Sequence, residues 1–501
     1  MNDVGQGPLH LAIDLGVSGG RGVLGRLSPE GLRFEEVHRF AYPPATAKGH
    51  LRWPFGEILA GIKEALREGR GMAMVFGGTL ETIGVDAWGA DYGFVDAGGQ
   101  LLEDPVCYRD RRTDGAIERV LQKLSREEVF GKTGMPLQPF NTLFQLHAHA
   151  REGLPAAAKR LLMIPDLCHH ALCGSRTGEY TNATTTQLVD LRTRRWADEL
   201  FSRLDLPREL MPEIVEPGTI LGEIDPSLQK ELEVGALRVI APATHDTASA
   251  MAGTPLRPGW AFLFCGTWSR LGVERDAPIV TPAAAGAGFT NEGGVAGVRF
   301  LKNLMGLWIL ESCRTEWAAR GEAMDQGGLR AALAGIEEVP GVVFPDDARF
   351  VGPKAMTAEL LAALAETGQQ VPEEPVFLTK VILDSLAFRY ASVVREIEAV
   401  TGASVAGIHA VGTGALNDYL NQAIADAAGR PVLAGPADAT AVGNLMLQAI
   451  ASGGIGSLAE GRGLLERALR LRRYEPRERT GWGPAGERYR EIEQKHVSGE
   501  R

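Results

Sequence analysis

The sequence predicts an α/β protein of two lobes, each a mixed-sheet domain of duplicated design, with a ligand cleft between them. Three observations lead there. Two stretches share one pattern, an apolar strand, a small polar turn and a second apolar strand: Leu9-His-Leu-Ala-Ile-Asp14-Leu-Gly16-Val17-Ser18-Gly19-Gly20-Arg21 and Phe262-Leu-Phe-Cys-Gly266-Thr267-Trp-Ser269-Arg270. One opens each half of the chain. The 501 residues exceed what one hydrophobic core organises and suit two domains of roughly 250. Finally, the apolar run Val239-Ile-Ala-Pro242 leads through the polar turn Thr244-His245-Asp246-Thr247 into a small-residue helix start, Ala248-Ser-Ala-Met251. A carboxylate at such a strand-to-helix turn is held by rigid backbone while its head meets an open crevice.

Composition narrows the function classes. Apolar residues make up 45% and charged residues 23%, as in ordinary soluble domains. The net charge of −11 gives no footing for nucleic acid or an anionic membrane surface. No run approaches transmembrane length, and no basic-then-apolar leader opens the chain. Five scattered cysteines argue against a disulfide framework and for a reducing, cytoplasmic setting. Cys168 and Cys173 have no second pair, so a zinc site is not expected.

The elements follow in order. After the 9–27 hairpin comes a strand around Phe34–Phe40, then a helix at Phe55–Arg67, where Phe55, Ile58, Leu59, Ile62 and Leu66 share a face. Ile83-Gly-Val-Asp86-Ala-Trp88-Gly89-Ala-Asp91 reads as a strand and a glycine turn. Its aromatic and carboxylates fit a sugar contact or a core Trp with solvated acids. Asn141–His149 reads as a helix with His147 and His149 on its surface, two apart and so unfit as joint metal ligands. Thr181-Asn-Ala-Thr-Thr-Thr-Gln-Leu-Val189 is expected to be a loop that gives hydroxyls to a polar ligand or packs beneath one. Phe289–Gly294 reads as a turn, Phe300–Glu311 as a helix, Lys380–Val400 as a long amphipathic helix. A strand at Val405–Val411 ends in Gly412-Thr413-Gly414 before a helix from Asp418, an arrangement suited to a nucleotide. Gly443–Ala451 is the final core helix, and the Arg/Glu-rich end after Arg470 is expected to be solvated. The domain boundaries read as 1–252, 253–470 and a tail, 471–501.

The chemistry rests on the turns. Small turns of Gly and Ser with free N–H groups are anion nests, and two of them suit a polyphosphate. Asp14 ends its strand just before Gly16, as a turn-capping residue or as a carboxylate linked to Mg²⁺ near phosphates; the adjacent Gly16 and Ser18 favour the latter. The first turn lacks the Gly-Lys-Ser/Thr ending of a Walker A loop and runs into a strand, unlike a dinucleotide fingerprint. Asp246 reads as a helix cap or as a base.

Taken together, Asp14-Leu-Gly16 with Ser18, His245-Asp246, Gly266-Thr267-Trp-Ser269 and the Gly412 turn resemble, in this order, the FGGY carbohydrate kinases. The resemblance runs from about residue 9 to about residue 450. It is sharpened by Trp88-Gly89, the 108–115 and 181–189 runs, His245-Asp-Thr-Ala-Ser-Ala250, Thr290-Asn-Glu-Gly-Gly294 and Leu301-Lys-Asn303-Leu-Met-Gly-Leu-Trp308, which look like the members that phosphorylate L-rhamnulose. The resemblance implies the actin-like, sugar-kinase (ribonuclease H-like) fold. It makes Asp246 the proton acceptor and puts Gly89, His245, Asp246 and Thr247 at the sugar. Val17, Ser18, Gly19, Gly20, Arg21, Thr267, Asn303, Gly412, Thr413 and Gly414 would contact ATP, with Mg²⁺ linked to Asp14 through water. Partners would be a small sugar and ATP, the chain acting as a monomer or homodimer. There are departures: Ser-Gly-Gly-Arg where Ser-Ser-Gly-Arg is expected, Gly-Thr-Gly for three glycines, and Glu311 in place of Gln. Rival readings are a kinase for another ketose or deoxysugar such as L-fuculose, and a non-catalytic sensor on the same fold.

Overall fold

The computed structural model describes residues 7–322, 325, 329, 332–333, 335–479 and 481–498. The chain divides into two compact α/β units. Unit 1 comprises residues 1–255, 274–300 and 439–469; unit 2 comprises 256–273, 301–438 and 470–501.

Unit 1 is built on a six-stranded mixed sheet, ordered Thr219–Glu223, Arg238–Ala241, Leu80–Ala87, Leu9–Gly16, Gly19–Ser28, Gly31–Phe40. The three strands Arg238–Ala241, Leu80–Ala87 and Leu9–Gly16 run parallel to one another, and the hairpin strands pair antiparallel. Alternation explains the two faces. Leu9, Leu11, Ile13 and Leu15, with Ile83, Val85 and Ala87, join a core completed by Ile58, Ile62 and Leu66 of the helix Phe55–Val75 and by Leu167 and Leu172 of Ile164–Cys173.

The opposite face is more polar, and the helix Ala439–Ala451 covers it. Ala12 and Val23 meet Ala441 and Leu445. Beside them runs a hydrogen-bonded chain. His10 Nδ1 lies 2.7 Å from Thr82 Oγ1, Thr82 Oγ1 donates to Gln448 Oε1 (2.6 Å), Gln448 Nε2 donates to Asn444 Oδ1 (2.7 Å), and Asn444 Nδ2 donates to Asp86 Oδ2 (2.6 Å). Because the Thr82 hydroxyl proton goes to Gln448, His10 must donate from Nδ1. Burial, with Arg238 and Arg26 nearby, pulls the His10 pKa down to about 3, so the ring is neutral.

Unit 2 repeats the plan. Ala261–Cys265 lies parallel to Ile408–Val411, which lies parallel to Val432–Ala434; Ala261–Cys265 is also antiparallel to Trp268–Arg275, which neighbours Val298–Met305. The helices Pro375–Thr401 and Asp418–Ala428 pack together in this unit. The duplicated strand-turn-strand is thus a duplicated sheet order.

Several local expectations are corrected. Residues Phe300–Met305 are strand, not helix, and the helix begins at Trp308. Phe300, Leu301, Leu304 and Met305 are all buried, and a strand covered on both faces loses its period of two and passes for helix. Thr290–Gly293 is a strand rather than a turn. The threonine run starts as a short helix, Tyr180–Thr185, because Glu179 accepts from the N–H groups of Thr181 and Asn182 at its start. His147 and His149 are buried, not surface. The C-terminal stretch docks: Arg472–Tyr474 pairs with Val432–Ala434, and the helix Trp482–Ser498 buries Trp482 and Tyr489 against Phe388.

Candidate active site

In unit 1 three adjacent parallel strands end side by side, the usual location for ligands in open α/β sheets. Asp14 and Asp86 stand opposite each other in register, and Ala87 bridges to His245, its N–H donating to the Thr244 carbonyl at 2.9 Å. Alternation puts Asp14 and Asp86 on the face covered by Ala439–Ala451. Burial pushes the Asp86 carboxyl well up, the charges of Asp14 and Asp246 push it further, and the Asn444 amide opposes them. Arg21 faces Asp14 across the hairpin and donates from Nε to Asp14 Oδ2 at 3.0 Å.

Asp246 is the first residue of the helix Asp246–Ala252, and His245 is its N-cap. Its carboxylate is part-exposed, and Oδ1 accepts from the Thr247 N–H and hydroxyl. The turn is held from behind. Glu179 Oε2 accepts from Thr244 N (3.0 Å), Thr244 Oγ1 (2.7 Å) and Thr181 Oγ1 (2.6 Å), and Asn182 Nδ2 donates to Thr244 O at 3.3 Å. Gly293 N donates to Thr184 Oγ1 at 2.9 Å. Arg299, Glu292 and His245 form a buried polar group, with His245 Nε2 3.4 Å from Asp246 Oδ1. The runs at 181–185, 244–247 and 290–293 are remote in sequence and meet here.

Gly89 lies against the same short helix: a Cβ there would come 2.6 Å from Thr185 Oγ1. Asp91 belongs to the core, its Oδ2 accepting from Trp53 Nε1 (2.7 Å), Trp88 Nε1 (3.0 Å) and Tyr108 N (3.1 Å). In the first turn Ser18 is exposed, and a Cβ at Gly19 would lie 2.7 Å from the Phe40 carbonyl. On this backbone, with φ +154° at Gly19, a serine would not fit.

In unit 2 three turns gather at the end of Ala261–Cys265. Gly306 lets its chain touch the second hairpin turn, since a Cβ would be 2.3 Å from Gly266 O. Leu307 N donates to that carbonyl at 2.8 Å. This brings Glu311 to Thr267, whose hydroxyl donates to Glu311 Oε2 at 3.1 Å. Asn303 and Thr413 are exposed. Gly412 has φ +81°, and a Cβ at Gly414 would fall 2.2 Å from Cys265 Sγ, so both glycines are needed for close approach while Thr413 points outward. Ser269 is turned inward, hydrogen-bonded to the Tyr390 hydroxyl at 2.7 Å.

Sequence reasoning missed Glu179, Glu292, Arg299 and Asn444 as parts of the site. An acidic or basic residue inside an otherwise apolar strand, as at Arg299, was the one available signal.

Residues 9–253 match the N-terminal domain of the FGGY family of carbohydrate kinases, and 261–452 match its C-terminal domain. A rhamnulokinase of Bacteroides thetaiotaomicron is 38% identical over 482 residues, 95% of this chain and 97% of that one. A rhamnulokinase of Pectobacterium carotovorum is 38% identical over 491 residues, 97% of this chain and 96% of that one. The ligand-bound xylulose kinase of Lactobacillus acidophilus shares the fold, with a TM-score of 0.79 at 16% identity over 98% of this chain and 99% of that one. By matches that span both halves, this chain belongs to the FGGY family of carbohydrate kinases.

Proposed function

We propose that this chain transfers the γ-phosphoryl group of ATP to the primary 1-hydroxyl of L-rhamnulose. The carrying observation is that the runs at 181–185, 244–247 and 290–293 assemble around the His245–Asp246 turn in unit 1. Support for the acceptor comes from relatives named rhamnulokinase at 37–38% identity across 93% or more of this chain.

Asp246 accepts the hydroxyl proton as the phosphoryl group is transferred in line. His245, Thr247 and Gly89 contact the sugar. Val17–Arg21 takes phosphate oxygens, and Thr267, Asn303 and Gly412–Gly414 take the remainder of the nucleotide. Glu311 competes for the Thr267 hydroxyl. Among the described residues no cluster of three His, Cys, Asp or Glu could cage a metal. Mg²⁺ keeps waters and binds substrate phosphates with one or two carboxylates; Asp14 would hold it through water. When bound it would offset phosphate charge. Arg21 meanwhile balances Asp14. Five unpaired cysteines suit a reducing cytoplasm. Among the described residues no helix is long and apolar enough to cross a membrane.

A coupled ADP-release assay with L-rhamnulose, L-fuculose, D-xylulose, glycerol and L-rhamnose tests the reading. L-Rhamnulose should give the highest kcat/KM, L-fuculose less, glycerol and L-rhamnose little. A much higher kcat/KM with glycerol or D-xylulose would refute it.

A further inference from the structure

The geometry points to Arg299 as a positioning residue that fixes the His245 ring in one tautomer, Nε2–H, turned toward Asp246. This rests on the reading of Asp246 as the base. Arg299 is only 1% exposed and is anchored by its Nε, which donates to the Gly293 carbonyl at 2.8 Å. Its Nη2 lies 3.0 Å from His245 Nδ1 and 3.1 Å from Glu292 Oε2. A guanidinium has donors only, so Nδ1 must present its lone pair. The neutral ring then carries its proton on Nε2.

Nε2 sits 3.4 Å from Asp246 Oδ1. That oxygen already accepts from the Thr247 N–H and hydroxyl. Donors therefore converge on Oδ1, and Oδ2 is left as the oxygen on which a substrate proton lands. Glu292 balances the buried Arg299 charge, which removes the cost of an unpaired cation. It is also the rival partner, because Oε2 lies 3.3 Å from Nδ1. In the Nδ1–H tautomer the ring would donate to Glu292, Arg299 Nη2 would keep Glu292 but face an N–H at Nδ1, and Nε2 would turn a lone pair toward the Asp246 carboxylate, two acceptors face to face. The Nε2–H tautomer gives Arg299 Nη2 an acceptor at Nδ1 and turns an N–H toward Asp246 Oδ1.

The test is long-range ¹H–¹⁵N correlation on the full-length enzyme with ¹⁵N-labelled histidine, the His245 signal assigned by its loss in His245→Gln. At neutral pH the wild type should show Nδ1 unprotonated and Nε2 protonated. Arg299→Met should shift the ring toward Nδ1–H and lower kcat by about 10–100-fold, the usual scale for an orienting partner, with the KM for ATP little changed. Arg299→Lys, which retains a donor, should recover most of that loss. A protonated Nδ1 in the wild type overturns the proposal, as does a folded Arg299→Met enzyme with unchanged tautomer and kcat. If Arg299→Met does not fold, the wild-type spectrum still decides. The kinetics use whichever sugar releases ADP fastest, so failure of L-rhamnulose as acceptor would leave the result on the ring intact.

Discussion

At Asp246 two readings of one carboxylate part. A helix cap would survive Asp246→Asn, since Asn caps as well as Asp. A base would not, because Asn keeps the shape and cannot take the proton. Asp246→Asn should lower kcat by roughly 10²–10⁴ with an unchanged melt. More than about half of wild-type kcat in a folded variant would remove Asp246 from the mechanism. Asp166 offers a test of pH dependence. It is buried, its Oδ1 accepts from Glu179 N at 3.2 Å, and burial, then the charge of Glu179, push its carboxyl well up. The folded chain therefore binds this proton more tightly than the unfolded chain. Stability from this group is fully present below the unfolded value, about 3.9, and is lost as pH rises toward the folded one. Thermal melts across pH should show Asp166→Asn gaining on the wild type above about pH 4, by up to about 1.4 kcal/mol per pH unit, and matching it below. Parallel pH profiles would contradict this. Asp14, His245 and Asp246 were legible because each lies near the end of an apolar strand, within or just past it, beside a small-residue turn. Glu179, Glu292 and Arg299 were not, since the contacts that tie them to the His245–Asp246 turn span 47 to 65 residues and only the fold joins them.

Among elements, the helix that carries Asp246 is placed by glycine. It crosses Ala439–Ala451 so closely that a Cβ at Gly443 would stand 1.8 Å from the Ser249 carbonyl, and one at Gly253 2.2 Å from the Ala439 carbonyl. Backbone cannot yield as a flexible side chain would. Gly443→Ala should cost about 1–3 kcal/mol and reduce kcat, because a displaced Asp246 is a misaligned one. A thermal melt with steady-state kinetics checks both; a melt and kcat equal to wild type would show that the helices can part freely. Phe55–Val75 was legible because a half-buried helix writes its period into the sequence, and Pro375–Thr401, buried all round from 378 to 394, was legible by its long apolar run. Val298–Met305 hid because its buried residues Phe300, Leu301, Leu304 and Met305 lie on both faces and lack a period of two, and the short helix at 180–185 hid because a single capping carboxylate decides it.

For the whole molecule, the duplicated hairpins announced two related halves, and the paired sheet orders bear that out. Nothing in the sequence announced that 439–469 belongs to unit 1, because a helix's apolar face does not name the sheet it will cover. Residues 1–255 alone would leave Ala12, Val23 and the His10–Thr82 polar row without their cover. That fragment should show no cooperative melt by circular dichroism, while a linked version that adds 274–300 and 439–469 should show one. A sharp transition in the short fragment would mean that the covering helix is dispensable. The same feature bears on synthesis. A ribosome releases the strands bearing Asp14 and Asp86 early, yet Asn444, which holds Asp86, emerges 358 residues after it. The nascent chain must carry an open sheet face through most of translation, with the full sequence of the His245–Asp246 turn present and no floor beneath it. Premature stops, stalled ribosomes and proteolytic clipping before Ala439 should therefore yield fragments that engage chaperones and are cleared, not half-working enzymes.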